Sequence, residues 1–170
     1  MRFPRIAEKI RQLTLPSTDA KYMINRNPRN LELLRIAYKP DGYHLDKPGR
    51  SFWYKLEVNP SGRYVTAQVK HFESGPVVTA STSEWAIKKQ LFKTKDTSAY
   101  VNLARVLAQR CLESGLIEMR CDITPNPNSK LDKFLRTLEE NGLKLSEPER
   151  FEAPRPWNRH RPEKPWEVTE

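Results

Sequence analysis

Two groups of side chains in this sequence are of types that do chemistry. The first is Thr79, Ser81, Thr82 and Ser83, followed by Glu84, Trp85 and the pair Lys88 and Lys89. Hydroxyls clustered behind the apolar pair Val77 and Val78 have two uses. They cap a short helix running from Glu84, or they donate to phosphates and 2′-hydroxyls at little entropic cost, because the side chains are short. The second group is Glu57, Glu84 and Asp122. Carboxylates gathered on two metal ions about 4 Å apart hydrolyse phosphodiesters. Other catalytic signatures are missing: the chain has no P-loop, GxGxxG, HExxH or GxSxG. Cys111 and Cys121 stand ten residues apart and match no zinc spacing, and His44, His71 and His160 are distant from both in sequence. Buried, reduced thiols are expected rather than a disulfide, and no cofactor is implied.

The elements that position these residues follow from periodicity. Phe52, Tyr54, Leu56 and Val58 alternate with Trp53, Lys55 and Glu57, which is a half-buried strand. The turn Asn59-Pro60-Ser61-Gly62 leads to a second strand, Arg63 to Phe72, with Val65, Ala67 and Val69 inward. A turn at Ser74-Gly75 leads to a third, Val77 to Ser81, completing a meander. The period then lengthens: Val101, Ala104, Ala108 and Cys111, with Leu107 and Leu112, mark a helix that starts at Thr97 or Ser98 and stops at Gly115. Ile117, Met119, Cys121 and Ile123 alternate as a fourth strand. Ser129 and Asp132 have capping-box spacing ahead of the stripe Leu131, Phe134, Leu135 and Leu138, which ends at Asn141-Gly142. Leu143 to Leu145 add a short edge strand. A strand, a helix and a further strand imply a right-handed crossover with parallel pairing. The expected fold is α/β: a mixed sheet in which an antiparallel three-stranded meander is followed by a helix crossover to a parallel strand and a second helix, with N- and C-terminal extensions.

Four regions follow. Residues 1–24 are a basic extension in which Arg2, Arg5, Lys9 and Arg11 surround the apolar Phe3, Ile6, Ile10 and Leu13. That is the composition of a mitochondrial targeting segment, and also of an ordinary short surface helix. Residues 25–50 form an ordered arm, with a short helix at Leu31–Ala37 and breaks at Pro40, Gly42, Pro48 and Gly49. Residues 51–146 form the folded domain, and 147–170 a Pro-rich tail that carries Phe151, Trp157 and Trp166. No apolar run approaches the roughly 20 residues of a membrane span.

The net charge is +9, and all the excess lies in residues 1–95, with 18 Lys and Arg against 8 Asp and Glu. A basic half on a neutral half points to a polyanion partner. The outward faces of the first two strands offer Trp53, Lys55, Tyr64 and Lys70. Lysines contact phosphates, and aromatic rings stack on bases. The alternative for the aromatics is cross-strand packing or contact with the arm, and for a single lysine a solvated charge. Meander plus crossover also suits a metal-dependent nuclease on a ribonuclease-H-like sheet, although the first strand carries no DxD or DxE pair.

The stretches VVTASTSEWAIKKQL and ARVLAQRCLESG resemble the universal ribosomal protein L-eighteen family, and NRNPRNLELL and FWYKLEV resemble its mitochondrial branch. The resemblance spans about residues 25–146. It implies a structural protein of the mitochondrial large ribosomal subunit, not an enzyme, located in the mitochondrial matrix. It further implies binding to 5S ribosomal RNA, or a structural transfer RNA in its place, in the central protuberance. Partners would include the large ribosomal RNA and neighbouring mitochondrial ribosomal proteins. Bacterial members carry a dense basic tail before the first strand. This chain has the less charged, more apolar NRNPRNLELLRIAYKP instead, which implies protein contacts as well. On this basis the RNA-contacting residues are expected to be Arg26, Arg29, Arg50, Lys55, Arg63, Tyr64, Lys70, Ser81, Thr82, Lys88 and Lys89.

Overall fold

Alternating apolar residues draw the chain into three strands, β1 (Tyr54–Pro60), β2 (Val65–His71) and β3 (Gly75–Ser81). The computed structural model describes residues 27–43, 45 and 47–164. The N-terminal extension 1–24, Arg26 and Trp166 lie outside the described residues. β1 and β2 pair antiparallel with Leu56 opposite Val69, and β2 and β3 pair antiparallel with Val69 opposite Val78. This register brings Leu56, Val65, Ala67, Val69, Val78 and Ala80 to one face, where all are buried. Lys55, Glu57, Thr66, Gln68, Lys70 and Ser81 line the other.

A short helix, α3 (Trp85–Gln90), follows β3. The long α4 (Thr97–Glu113) then crosses the apolar face against β3 and β2, and α5 (Lys130–Glu140) packs on α4. Leu103, Ala104, Leu107, Ala108 and Cys111 of α4 meet Phe134, Leu135 and Leu138 of α5 in a single core. Tyr100 and Phe134 meet edge to face at 6.4 Å. The expected stripes are thus largely the packed faces, except that Val101 is half-buried outside the core and Leu112 is exposed. The Ser129 hydroxyl accepts from the Asp132 N–H at 3.1 Å, and the Asp132 carboxylate reaches back to the Asn128 N–H. At the end of α4, Gly115 sits at φ +67, which frees the Leu116 N–H to reach the Cys111 carbonyl at 2.7 Å. Both cysteines are free, and burial pushes the Cys111 thiol up to about 11.

β4 (Arg120–Cys121) lies parallel to β1, giving the order β3-β2-β1-β4. It has two residues, where the alternation of Ile117 to Ile123 implies seven. The preceding stretch is engaged elsewhere: Lys144 N–H donates to the Ile117 carbonyl, and Met119 N–H to the Lys144 carbonyl. The expected edge strand at 143–145 is therefore a single parallel bridge, Glu118 to Lys144, beside this segment.

The arm holds α1 (Pro28–Leu33) and the helical turn α2 (Lys47–Arg50), which the Pro-Gly breaks did not foreshadow. α1 starts earlier than expected because the Asn27 side chain accepts from the Arg29 N–H at 3.1 Å. It ends where Arg35 enters a positive φ of 61°. Glu32 meets His71 of β2 at 3.0 Å. Trp53, expected on the open strand face, is instead buried under the arm, donating its indole N–H to the Tyr38 carbonyl at 3.1 Å. Lys39 stands 4.3 Å over its ring and pairs with Glu147 at 3.1 Å. Glu147 also accepts from the Trp53 and Tyr54 N–H groups. The Phe151 N–H donates to the Arg35 carbonyl at 2.7 Å, so arm and tail are joined to each other as well as to β1.

Candidate nucleic-acid interface

The cations of the open sheet face are neutralised within the protein. Lys55 pairs with Asp122 at 2.9 Å, and Arg120 pairs with the same carboxylate at 2.6 Å. Lys70 pairs with Glu57 at 2.6 Å, and Gln68 donates to Glu57 at 3.1 Å. The hydrogen bond from Lys70 holds the Glu57 carboxyl below its usual range. Burial pushes Asp122 up, but hydrogen bonds from Arg120 and Lys55 outweigh it and hold that carboxyl low. A phosphate reaching Lys55 or Lys70 must therefore compete with a carboxylate already in place.

The same pairings bear on the metal-centre alternative. Glu57, Glu84 and Asp122 are each committed to separate cations, with Glu84 taking both Arg110 amino groups at 3.0 and 2.6 Å. Among the described residues no group of three His, Cys, Asp or Glu side chains is placed to hold a metal.

The hydroxyl run proves largely structural. Thr82 is fully buried, and its hydroxyl accepts from the Val65 N–H at 2.9 Å, closing the end of β2 against β3. This corrects its expected place among the RNA contacts: only opening the sheet edge would expose it. Ser81 is half-buried, and its hydroxyl meets Thr66 at 3.1 Å and Ser83 at 2.8 Å. Its N–H donates to Glu84 at 2.8 Å, which steers the chain into α3. The Glu84 carboxyl, held low first by its hydrogen bonds from Arg110, thereby ties this turn to α4.

Beyond Glu84 the character changes. Trp85 to Lys95 holds four lysines and no acid. Ile87 faces the core while Trp85 is 75 % and Phe92 94 % exposed. Lys88 donates to the Tyr64 hydroxyl at 3.2 Å and stands 5.5 Å over that ring. Lys89 stands 5.1 Å over Trp85, and Lys93 6.0 Å over Phe92. Arg63, Tyr64, Lys88, Phe92 and Lys93 line one shallow depression of about 450 Å³. Among the described residues, Arg63, Lys88, Lys89 and Lys93 form no ion pair.

The structure thus brings Arg63, Tyr64 and Lys88 together in one depression at the end of the sheet, with Lys89 beside Trp85 on the same helix. Lys55 and Lys70 lie on the open face. Arg50 is exposed at the end of α2, beside Ser51, whose carbonyl accepts from Arg120. Arg29 is elsewhere: it donates to the Ser114 carbonyl and fixes α1 to the end of α4. Phe92 and Lys93 were missed from sequence. The run of lysines and aromatic residues from Trp85 to Lys95 without an acid was the available signal.

No family model matches the chain. It is 38% identical over 138 residues to the large ribosomal subunit protein uL18m of Caenorhabditis elegans, covering 78% of this chain and 81% of that relative. It is 34% identical over 68 residues to the large ribosomal subunit protein uL18 of Shewanella oneidensis, covering 40% of this chain and 59% of that relative. The uL18 of Shewanella putrefaciens matches to the same extent.

Proposed function

The chain belongs to the mitochondrial branch of the uL18 family, the large-subunit ribosomal proteins of the mitochondrion, and on that premise we propose that it is a structural, non-enzymatic RNA-binding component of the subunit. It holds 5S ribosomal RNA, or a structural transfer RNA in the 5S position, in the central protuberance. It does so chiefly through Arg63, Tyr64, Lys88 and Lys89, with exposed Arg50 contributing, and Ser81, Lys55 and Lys70 where the RNA displaces their internal partners.

One observation carries this reading. Among the described residues, the cations at the β1–β2 turn and along α3 form no ion pair, while those on the sheet face do. Unpaired cations gathered at one end of a rigid sheet suit a phosphate backbone, since binding then releases counterions without breaking internal ion pairs. A metal-dependent nuclease is disfavoured because its candidate carboxylates already have cationic partners. The arm and tail expose Leu33, Tyr38, Tyr43, Leu45 and Trp157, which suits contact with neighbouring ribosomal proteins.

Titration of a structured RNA at several salt concentrations tests the reading. Neutralising about four phosphates gives a slope of log affinity on log salt near −3.5. Lys88→Glu with Lys89→Glu should flatten it by about 2. A salt-independent affinity, or a slope the double variant leaves unchanged, would refute the assignment.

A further inference from the structure

Phosphate contact explains the lysines of this surface but not its rings. Trp85 and Phe92 are among the most exposed large apolar side chains of the described residues, at 75 % and 94 %. The fold does not leave them free to collapse. Ile87 and Leu91, between them in sequence, are held against the core. The segment after Phe92 is pinned to the β1–β2 turn: the Thr94 hydroxyl donates to the Arg63 carbonyl at 2.5 Å, and Lys95 to the Ser61 carbonyl at 2.7 Å. Lys130 in turn donates to the Lys95 carbonyl at 2.8 Å. Phe92 and Tyr64 therefore stand in one depression with fixed backbones, and each of the three rings has a lysine ammonium over it.

An uninterrupted RNA duplex offers such rings nothing. Its bases are stacked on one another, and it presents phosphates and 2′-hydroxyls to a protein. An unpaired base offers a π-face, and a ring preorganised beside a lysine takes the base and its phosphate together. A protein partner of ordinary composition would have to bury four unpaired cations against itself. Resting on the RNA-binding reading above, we propose that Trp85, Phe92 and Tyr64 form a stacking platform that selects RNA with unpaired bases, in a loop or bulge, over continuous duplex.

The test uses the full chain and two RNA probes with equal numbers of phosphates: a hairpin whose loop carries unpaired adenosines, and a blunt duplex. The hairpin should bind about tenfold or more tightly than the duplex, as one or two stacked bases allow. Trp85→Ala with Phe92→Ala should remove that preference by weakening hairpin binding about tenfold or more, and leave thermal unfolding unchanged, since both side chains are exposed. Trp85→Phe should retain most of the preference. Equal affinity for the two probes, or a preference that survives the double alanine variant, overturns the platform while leaving RNA binding intact. Failure of both probes to bind overturns the RNA reading itself. Normal hairpin preference in the double variant, combined with failure to enter the large subunit, would assign the rings to a protein neighbour and also overturn the platform.

Discussion

Replacing Glu147 with alanine should destabilise the protein by about 3 kcal/mol. The Glu147 side chain is 4% exposed and that of its partner Lys39 11%. Its carboxylate accepts from the N–H groups of Trp53 and Tyr54 at the entry to β1. Breaking a buried ion pair by removing one partner costs about 3–5 kcal/mol, because the remaining charge stays buried alone. Lys39 keeps two contacts in the variant, the Pro148 carbonyl at 3.2 Å and the Trp53 ring, which places the expectation at the lower end. Each N–H left without an acceptor adds in the other direction. Glu147→Gln keeps an acceptor oxygen but not the charge, so it should lose about half as much. Urea unfolding followed by tryptophan fluorescence measures the change. Limited trypsin digestion should show faster cleavage after Arg35 as the arm comes loose. A loss below about 1 kcal/mol, with the arm still protected, would show that Glu147 does not couple arm, tail and strand.

Phe134 is fully buried where α5 meets α4, so Phe134→Ala should cost about 3–5 kcal/mol in denaturant titration; a loss under about 1 kcal/mol would mean that α5 docks by another face. The Glu84 carboxyl is held below the ordinary range by Arg110. Its contribution to stability is therefore complete above the unfolded value of about 4.3 and is lost as pH falls through the lower folded value. Glu84→Gln should accordingly be less stable than the parent at pH 7, with the gap closing below about pH 4. A gap that persists or widens in acid would refute the pairing.

Sequence carried the elements whose own side chains build the core. The alternation through Leu56, Val65, Ala67 and Val69, the α5 stripe, the Ser129 cap and the α4 stripe apart from Val101 and Leu112 follow from local sequence and stand in the fold. What escaped depends on segments distant in the chain. Trp53 continues the polar-side alternation of β1, and only the arm passing over it makes that position a buried one. Glu147 opens a Pro-rich stretch and reads as tail, yet it closes contacts 93 and 94 residues away. The alternation of Ile117 to Ile123 does not show that only Arg120 and Cys121 pair with β1, nor that Ile117, Met119 and Cys121 bond on their other edge to Lys144 and Leu145.

The candidate interface was legible in part for the same reason. Residue type marked Tyr64, Lys88 and Lys89 as candidates, but it could not separate paired from unpaired cations. Lys55 and Lys70 match Lys88 and Lys89 in type and differ only in the carboxylates across the strand. Thr82 shows the converse: a hydroxyl suited to a phosphate is consumed by the Val65 N–H of the neighbouring strand.

Ultraviolet cross-linking of assembled mitochondrial large subunits, with the RNA-bearing peptides of this chain identified by mass spectrometry, tests the central claim most directly. Adducts should fall within residues 85–95 and at Tyr64, and should outnumber those around Lys55 and Lys70. Adducts confined to the open sheet face, or none on this chain while neighbouring proteins are labelled, would contradict an interface centred on the unpaired lysines of α3.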